Sequence, residues 1–139
     1  MLSSSLSILL VEDNPADALM VREALTEHNL DFELAIAQDC DEADSMIEKA
    51  ASSKSRFDLF LIDLNLPRRP GQELLRRLRE TRIWAHALVI IVTSSDSLRD
   101  REEARRLGAN RYFKKPARLR DYFELGEIVK ELCQEHGLV

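Results

Sequence analysis

Glu12 and Asp13 directly follow the apolar run Ile8–Val11, Asp63 follows Leu59–Ile62, Thr93 follows Leu88–Val92, and Lys115 stands just before Pro116. Three carboxylates, a hydroxyl and an ammonium are the parts of a phosphoryl-transfer site. Carboxylates forced side by side repel one another and demand a cation. Hard oxygen ligands suit Mg²⁺, which keeps several waters and takes one or two carboxylates plus phosphate oxygens. Asp13 and Asp63 would be the adjacent pair, Glu12 could reach the metal through water, and the backbone carbonyl of Asn65 is placed to add a ligand. With the metal bound, an ionised Asp63 is a nucleophile toward phosphorus that yields an acyl phosphate. Such a transfer needs mainly positioning and charge neutralisation. Lys115 supplies positive charge opposite the metal, and the Thr93 hydroxyl can donate to a phosphate oxygen. Each residue alone has a plainer reading, as a helix cap or a Lys-Pro turn, but the set at strand ends outweighs those readings.

The elements that must position these groups are legible as patterns. Short continuous apolar runs read as strands buried on both faces, typical of a parallel sheet. Asn14-Pro15 is a helix start, since Asn can cap and Pro suits the first helical position. That helix runs to about His28 with Ala18, Val21, Ala24 and Leu25 on one face. Phe32–Ala37 reads as a second strand, and Asp39 or Asp41 as the cap of a helix striped by Ala43, Met46, Ile47 and Ala50. Leu64-Asn65-Leu66-Pro67 leads through Gly71 into a third helix carrying Leu74, Leu75 and Leu78. Ser94–Ser97 caps a charged fourth helix that ends at Gly108. Arg111–Lys114 is the fifth strand, and the last helix buries Leu125, Ile128, Val129 and Leu132. Five β-α alternations predict an α/β fold, a doubly wound parallel sheet with helices on both faces. Its chemistry gathers outside the carboxyl ends of the strands.

At 139 residues, residues 1–139 read as a single domain with no output domain. Net charge −5 argues against a nucleic-acid footprint, and no recognition-helix pattern accompanies the arginines of 68–82. Those arginines read as a solvated helix face. Cys40 and Cys133 share no metal or redox spacing and read as reduced thiols. His28, His86 and His136 read as surface or loop residues. The start Met1–Ser7 lacks a positive leader region, and no stretch approaches a membrane span. A cytoplasmic protein is expected.

Val11-Glu12-Asp13-Asn14, Leu61–Pro67, Val92-Thr93-Ser94 and Lys114-Lys115-Pro116 resemble the receiver domain of two-component response regulators. The resemblance runs in order over nearly the whole chain. It implies a flavodoxin-like five-stranded sheet of order 2-1-3-4-5. It further implies that Asp63 accepts phosphate from a sensor histidine kinase or phosphotransfer protein, with Glu12 and Asp13 serving Mg²⁺. By the same match Lys115 contacts the phosphoryl group, Thr93 reports it, and Tyr112 is the switch aromatic. Pro70-Gly71 stands where receivers usually carry Asp-Gly. Asn14–Asp17, the Leu-Asn-Leu-Pro turn and Thr93-Ser94-Ser95 look most like stand-alone receivers that serve phytochrome-type kinases.

The leading expectation is therefore a phosphorylation-controlled binding switch. The runner-up is a Mg²⁺-dependent phosphohydrolase with an aspartyl nucleophile, against which Asn65 stands where a general acid is wanted. Asn65 and Ser95 should flank the path of water toward an acyl phosphate. Pro116, Ala117, Leu119, Tyr122 and Phe123, beside the charges of residues 99–106, predict a homodimer through the face of the fourth helix, fifth strand and last helix.

Overall fold

The structure is a computed structural model that describes residues 5–139. Met1–Ser4, part of the stretch read above as lacking a leader, lie outside the described residues. The strands are β1 (Leu6–Val11), β2 (Phe32–Ala37), β3 (Leu59–Ile62), β4 (Leu88–Thr93) and β5 (Arg111–Lys114). All pair in parallel, in the order β2-β1-β3-β4-β5. The helices are α1 (Pro15–Glu27), α2 (Cys40–Ser52), α3 (Gly71–Glu80), α4 (Leu98–Arg106) and α5 (Phe123–Glu135). The α/β class, strand order and helix count match the sequence-based expectation.

Alternation along the inner strands sorts the core into two layers. Leu6, Ile8 and Leu10 of β1 face one way, with Leu61, Ile90 and the apolar sides of α1 and α5. Leu9 and Val11 face the other, with Phe60, Ile62 and the leucines of α3. All four residues of β3 are buried, which is why that segment reads as continuous rather than alternating. Trp84, in a short 3-10 turn (Arg82–Trp84), closes the second layer with its ring edge-on to Phe60 at 5.5 Å.

Local chemistry sets the helix ends that border the carboxyl edge. The Asn14 side chain accepts from the amides of Ala16 and Asp17, with Pro15 next in line. Asp39 caps α2 and Ser97 caps α4. The charged fourth helix closes on Gly108 at φ +96°, a conformation L side chains rarely adopt. α3 has no side-chain cap, and its first residue is constrained differently. A Cβ on Gly71 would stand 2.0 Å from the carbonyl oxygen of Asp63, so only glycine lets the loop close against that residue.

Three readings change. Of the arginines taken as a solvated face, Arg69 and Arg77 are tied to carboxylates of α2, and Arg79 donates to the carbonyls of Gly108, Trp84 and Ala85. Desolvation lowers the Arg79 pKa, and its role is to close the end of α4. His28, in the turn that ends α1, is half-buried rather than on the surface, with Nε2 2.7 Å from the carbonyl of Phe123, which ties the end of α1 to α5. A 3-10 turn (Leu119–Tyr122) precedes α5 and buries Tyr122. Among the described residues, no helix is long and apolar enough to cross a membrane.

Candidate functional site

The register of the sheet brings the strand-end residues together. β1 lies between β2 and β3, with Val11 opposite Ile62, so Glu12, Asp13 and Asp63 leave adjacent strands at one level. The Asp63 amide donates to the Val11 carbonyl at 3.1 Å, and the Glu12 amide donates to the Ala37 carbonyl at 2.9 Å. On the other side the Lys115 amide donates to the Thr93 carbonyl at 2.8 Å, holding the residue after β5 against the end of β4. Backbone pairing thus places every group before any side chain chooses a rotamer.

Glu12 and Asp63 are buried, and Asp13 is exposed. One carboxylate oxygen from each lies within 4.8 Å of the others. The Lys115 ammonium sits 2.7 Å from Glu12 Oε1, 2.9 Å from Asp63 Oδ2 and 2.9 Å from Asp17 Oδ2. The contact to Glu12 lies outside hydrogen-bond angles, so that oxygen is buried with charge attraction but without a donor. Burial pushes the Glu12 carboxyl up to about 7, against the lowering effect of Lys115 and with help from the Asp63 charge. The Lys115 ammonium is desolvated, yet the hydrogen bonds it donates to Asp63 and Asp17 and the nearby Glu12 carboxylate keep its pKa above the ordinary lysine value. One cation among this many carboxylates leaves the cluster net negative.

That donor set fits a divalent cation: hard oxygens, one of them without a hydrogen-bond donor, next to an exposed carboxylate that opens to solvent. Asp63 uses its other oxygen, Oδ1, to accept the Asn65 amide at 3.1 Å, which folds the loop after β3 back on the site. The Asn65 side chain is otherwise exposed, and its Nδ2 lies 3.4 Å from Thr93 Oγ1.

Thr93 is fully buried, and its hydroxyl accepts only long contacts, from Asn65 Nδ2 and from the Ser95 amide, both at 3.4 Å. Hydrogen bonds of that length are weak. Tyr112 is half-buried, with its hydroxyl donating to the Ser95 carbonyl at 2.9 Å and the Arg101 guanidinium 4.5 Å above its ring. Burial raises the Tyr112 pKa, so the phenol remains a donor. The Ser95 hydroxyl donates to Asp100.

Sequence reasoning missed Asp17 and misplaced Tyr122. Asp17 lies one helical turn past Asp13 and reaches Lys115 from α1. Tyr122, counted in an apolar surface group, is buried with its hydroxyl 3.2 Å from Asp17 Oδ1. The i, i+4 spacing from Asp13 was the available signal for Asp17. Of the apolar group near α5, Leu119 is 53% exposed, and Leu98 at the start of α4 is 71% exposed.

A family model described as the response regulator receiver domain matches residues 8–125. Response regulator Rcp1 of Synechocystis is 32% identical over 130 residues, covering 92% of this chain and 88% of its own length. Transcriptional regulatory protein TrcR of Mycobacterium tuberculosis is 33% identical over 129 residues, but the match takes in 44% of that longer protein. Among solved structures, the phosphorylated cyanobacterial phytochrome response regulator RcpA superimposes with a TM-score of 0.83 at 30% identity, covering 92% of this chain and 93% of its own. The Mn(2+)-bound form of Rcp1 gives 0.78 at 31% identity over 89% and 91%.

Proposed function

The chain belongs to the response regulator receiver domain family, whose role is phosphoacceptor signalling, and we propose that Asp63 is the residue here that takes the phosphoryl group. The observation that carries this reading is the position of Asp63. It is buried beside the carboxylates of Glu12 and Asp13 and within hydrogen-bond reach of the Lys115 ammonium. Family membership decides between the two sequence-based alternatives in favour of the switch over the phosphohydrolase.

In the transfer, an Asp63 carboxylate oxygen attacks phosphorus and a new P–O bond forms. The bond from phosphorus to the donor's leaving group breaks, and the leaving group departs with that electron pair. The natural donor is the phosphohistidine of a sensor histidine kinase or phosphotransfer protein, whose imidazole is the leaving group. Glu12, Asp13, Asp63 and the Asn65 carbonyl would hold Mg²⁺, which supplies charge neutralisation to the carboxylates and to the transferring oxygens. The likeness to a Mn(2+)-bound relative supports a divalent cation at this position. Lys115 carries its charge to the phosphoryl group. Thr93, whose hydroxyl is weakly held, is free to turn toward it, and Tyr112 then gives up its bond to Ser95 and follows. The result is a population shift between two packings of the loop before α4. The likeness to RcpA supports assignment to the phytochrome-linked receivers, and the buried free thiols Cys40 and Cys133 suit a cytoplasmic setting. Incubation with Mg²⁺ and acetyl phosphate should add one phosphoryl group by intact mass, and Asp63→Asn should abolish it. Undiminished labelling of that variant would move the acceptor elsewhere.

The changed shape has to be read by a surface, and the face of α4, β5 and the 3-10 turn before α5 is proposed to pair two copies of the chain. Leu98 at the start of α4 and Leu119 in the turn before α5 are exposed apolar side chains available to such a pairing, and both charge signs on α4 permit a self-complementary rim. Sedimentation velocity should show a dimer that Leu119→Asp weakens. Wild type monomeric at high concentration, with and without phosphodonor, would remove the proposal.

A further inference from the structure

The Lys115 ammonium faces three carboxylates: it donates to Asp17 and Asp63 and lies 2.7 Å from Glu12 Oε1 in a charge contact. Under the function proposed above, two of those partners change: Asp63 becomes an acyl phosphate, and Glu12 serves the metal. Asp17 does neither. It stands on the first turn of α1, is partly buried, and divides its two oxygens between Lys115 Nζ at 2.9 Å and the Tyr122 hydroxyl at 3.2 Å. Tyr122 cannot easily drift, because its ring is buried against Phe113 with centroids 6.0 Å apart. A buried phenol needs a partner for its hydroxyl, and the partner it has is Asp17.

We propose that Asp17 is a positioning residue for Lys115 and that Tyr122 holds Asp17 in place. The ammonium would then keep one fixed counter-charge through the whole phosphorylation cycle. Its location is set by α1 and by the turn before α5, not only by the aspartate that it must leave free to react. Asp17 touches neither phosphoryl group nor metal in this scheme, and it acts through Lys115. The arrangement also links the site to the start of α5 by a chain of three side chains, separate from the Thr93–Tyr112 route.

The plainer account is that Asp17 only favours the positive end of the α1 dipole. The two are separated by the rate of labelling with acetyl phosphate at saturating Mg²⁺, followed by intact mass, together with thermal melting. Asp17→Ala should slow labelling on the order of tenfold, the usual loss when the support behind a reactive group is removed. Tyr122→Phe deletes only a hydroxyl and should slow it by a smaller factor, with a melting temperature close to wild type. In the Asp17→Ala background, Tyr122→Phe should add nothing, and in a Lys115→Ala background Asp17→Ala should add nothing, because the three act in series. Wild-type rates for Asp17→Ala, or the same slowing by Asp17→Ala whether or not Lys115 is present, would overturn the inference. If Lys115→Ala itself labels at the wild-type rate, the role given to Lys115 above fails first and this inference fails with it. A slow Lys115→Ala beside a fast Asp17→Ala overturns the inference alone.

Discussion

Two cations in this molecule are each ringed by three carboxylates, and the two rings behave differently. Lys115 meets Glu12, Asp17 and Asp63 at the carboxyl edge of the sheet. Arg69 meets Asp41, Asp44 and Glu73 at 2.6, 3.0 and 3.0 Å, where the loop after β3 crosses α2. The formal charges are the same. Burial is not: the Lys115, Glu12 and Asp63 side chains are 9%, 1% and 5% exposed, whereas Arg69 and Asp41 are 25% and 67% exposed. Around Arg69, water screens the excess negative charge, and the guanidinium's fixed fork matches several acceptors at once. Hydrogen bonds to Asp44 and then Asp41 raise its pKa, so the ring stays charged. Around Lys115, little water enters, one ammonium cannot satisfy the set, and a carboxylate oxygen is left without a donor. Equal charge counts therefore give a finished clasp in one place and an unfinished site in the other. The unfinished one is where a divalent cation and a phosphoryl group have something to gain.

If that contrast is right, the buried ring should carry the larger energetic strain in metal-free protein, and Glu12 should show it. Its carboxyl titrates near 4.5 when unfolded and is pushed up to about 7 in the fold, chiefly by burial. Between those values the folded state binds more protons than the unfolded one, so stability must fall as pH rises through that window. The contribution is fully present below the unfolded value and is lost once pH passes the folded value. Its size is on the order of 3 kcal/mol. Urea unfolding in the presence of a chelator should therefore show the metal-free protein weakening between about pH 4.5 and 7, relative to Glu12→Gln, whose amide does not titrate. Parallel profiles for the two proteins would mean that the buried ring is not strained and that the comparison above is wrong.

The same contrast explains what could be read from the sequence. Glu12, Asp13, Asp63, Thr93 and Lys115 were legible because each follows, or nearly follows, a strand whose apolar run is unmistakable. Parallel pairing brings such positions to one edge whatever the side chains do. Asn14, Asp39 and Ser97 were legible as helix caps for a similarly local reason. Asp17 was hidden because its partner is 98 residues away and its own position suits an ordinary first-turn acid. Tyr122 was grouped with the apolar residues of the predicted dimer face, and its burial was not legible because the short 3-10 turn that folds it inward carries no periodic pattern. The Arg69 ring was invisible because three of its four members come from helix faces whose rotation is set only when α2 and α3 pack. A charge run in a sequence does not reveal which of its members will find partners.

The smallest effect expected is at Arg69, and it sharpens the comparison from the other side. Arg69→Met keeps an aliphatic side chain and the backbone carbonyl that Cys40 Sγ faces but removes the guanidinium from Asp41, Asp44 and Glu73. Arg77 remains bound to Asp44, so the acidic side of the clasp is not left wholly uncompensated. The loss should be about 1 kcal/mol or less, the usual range for pairs with access to water. Much of it should disappear in 0.5 M NaCl, where screening already reduces what the guanidinium contributes. Labelling of Asp63 should stay within about twofold of wild type, because Gly71 and the Asn65 amide still hold the loop against Asp63 by backbone contacts that the arginine does not make. A salt-insensitive loss of several kcal/mol, or a labelling rate that falls as far as that of Asp17→Ala, would show the two rings to be one coupled structure. The division between a solvated clasp and a strained site would then have to be abandoned.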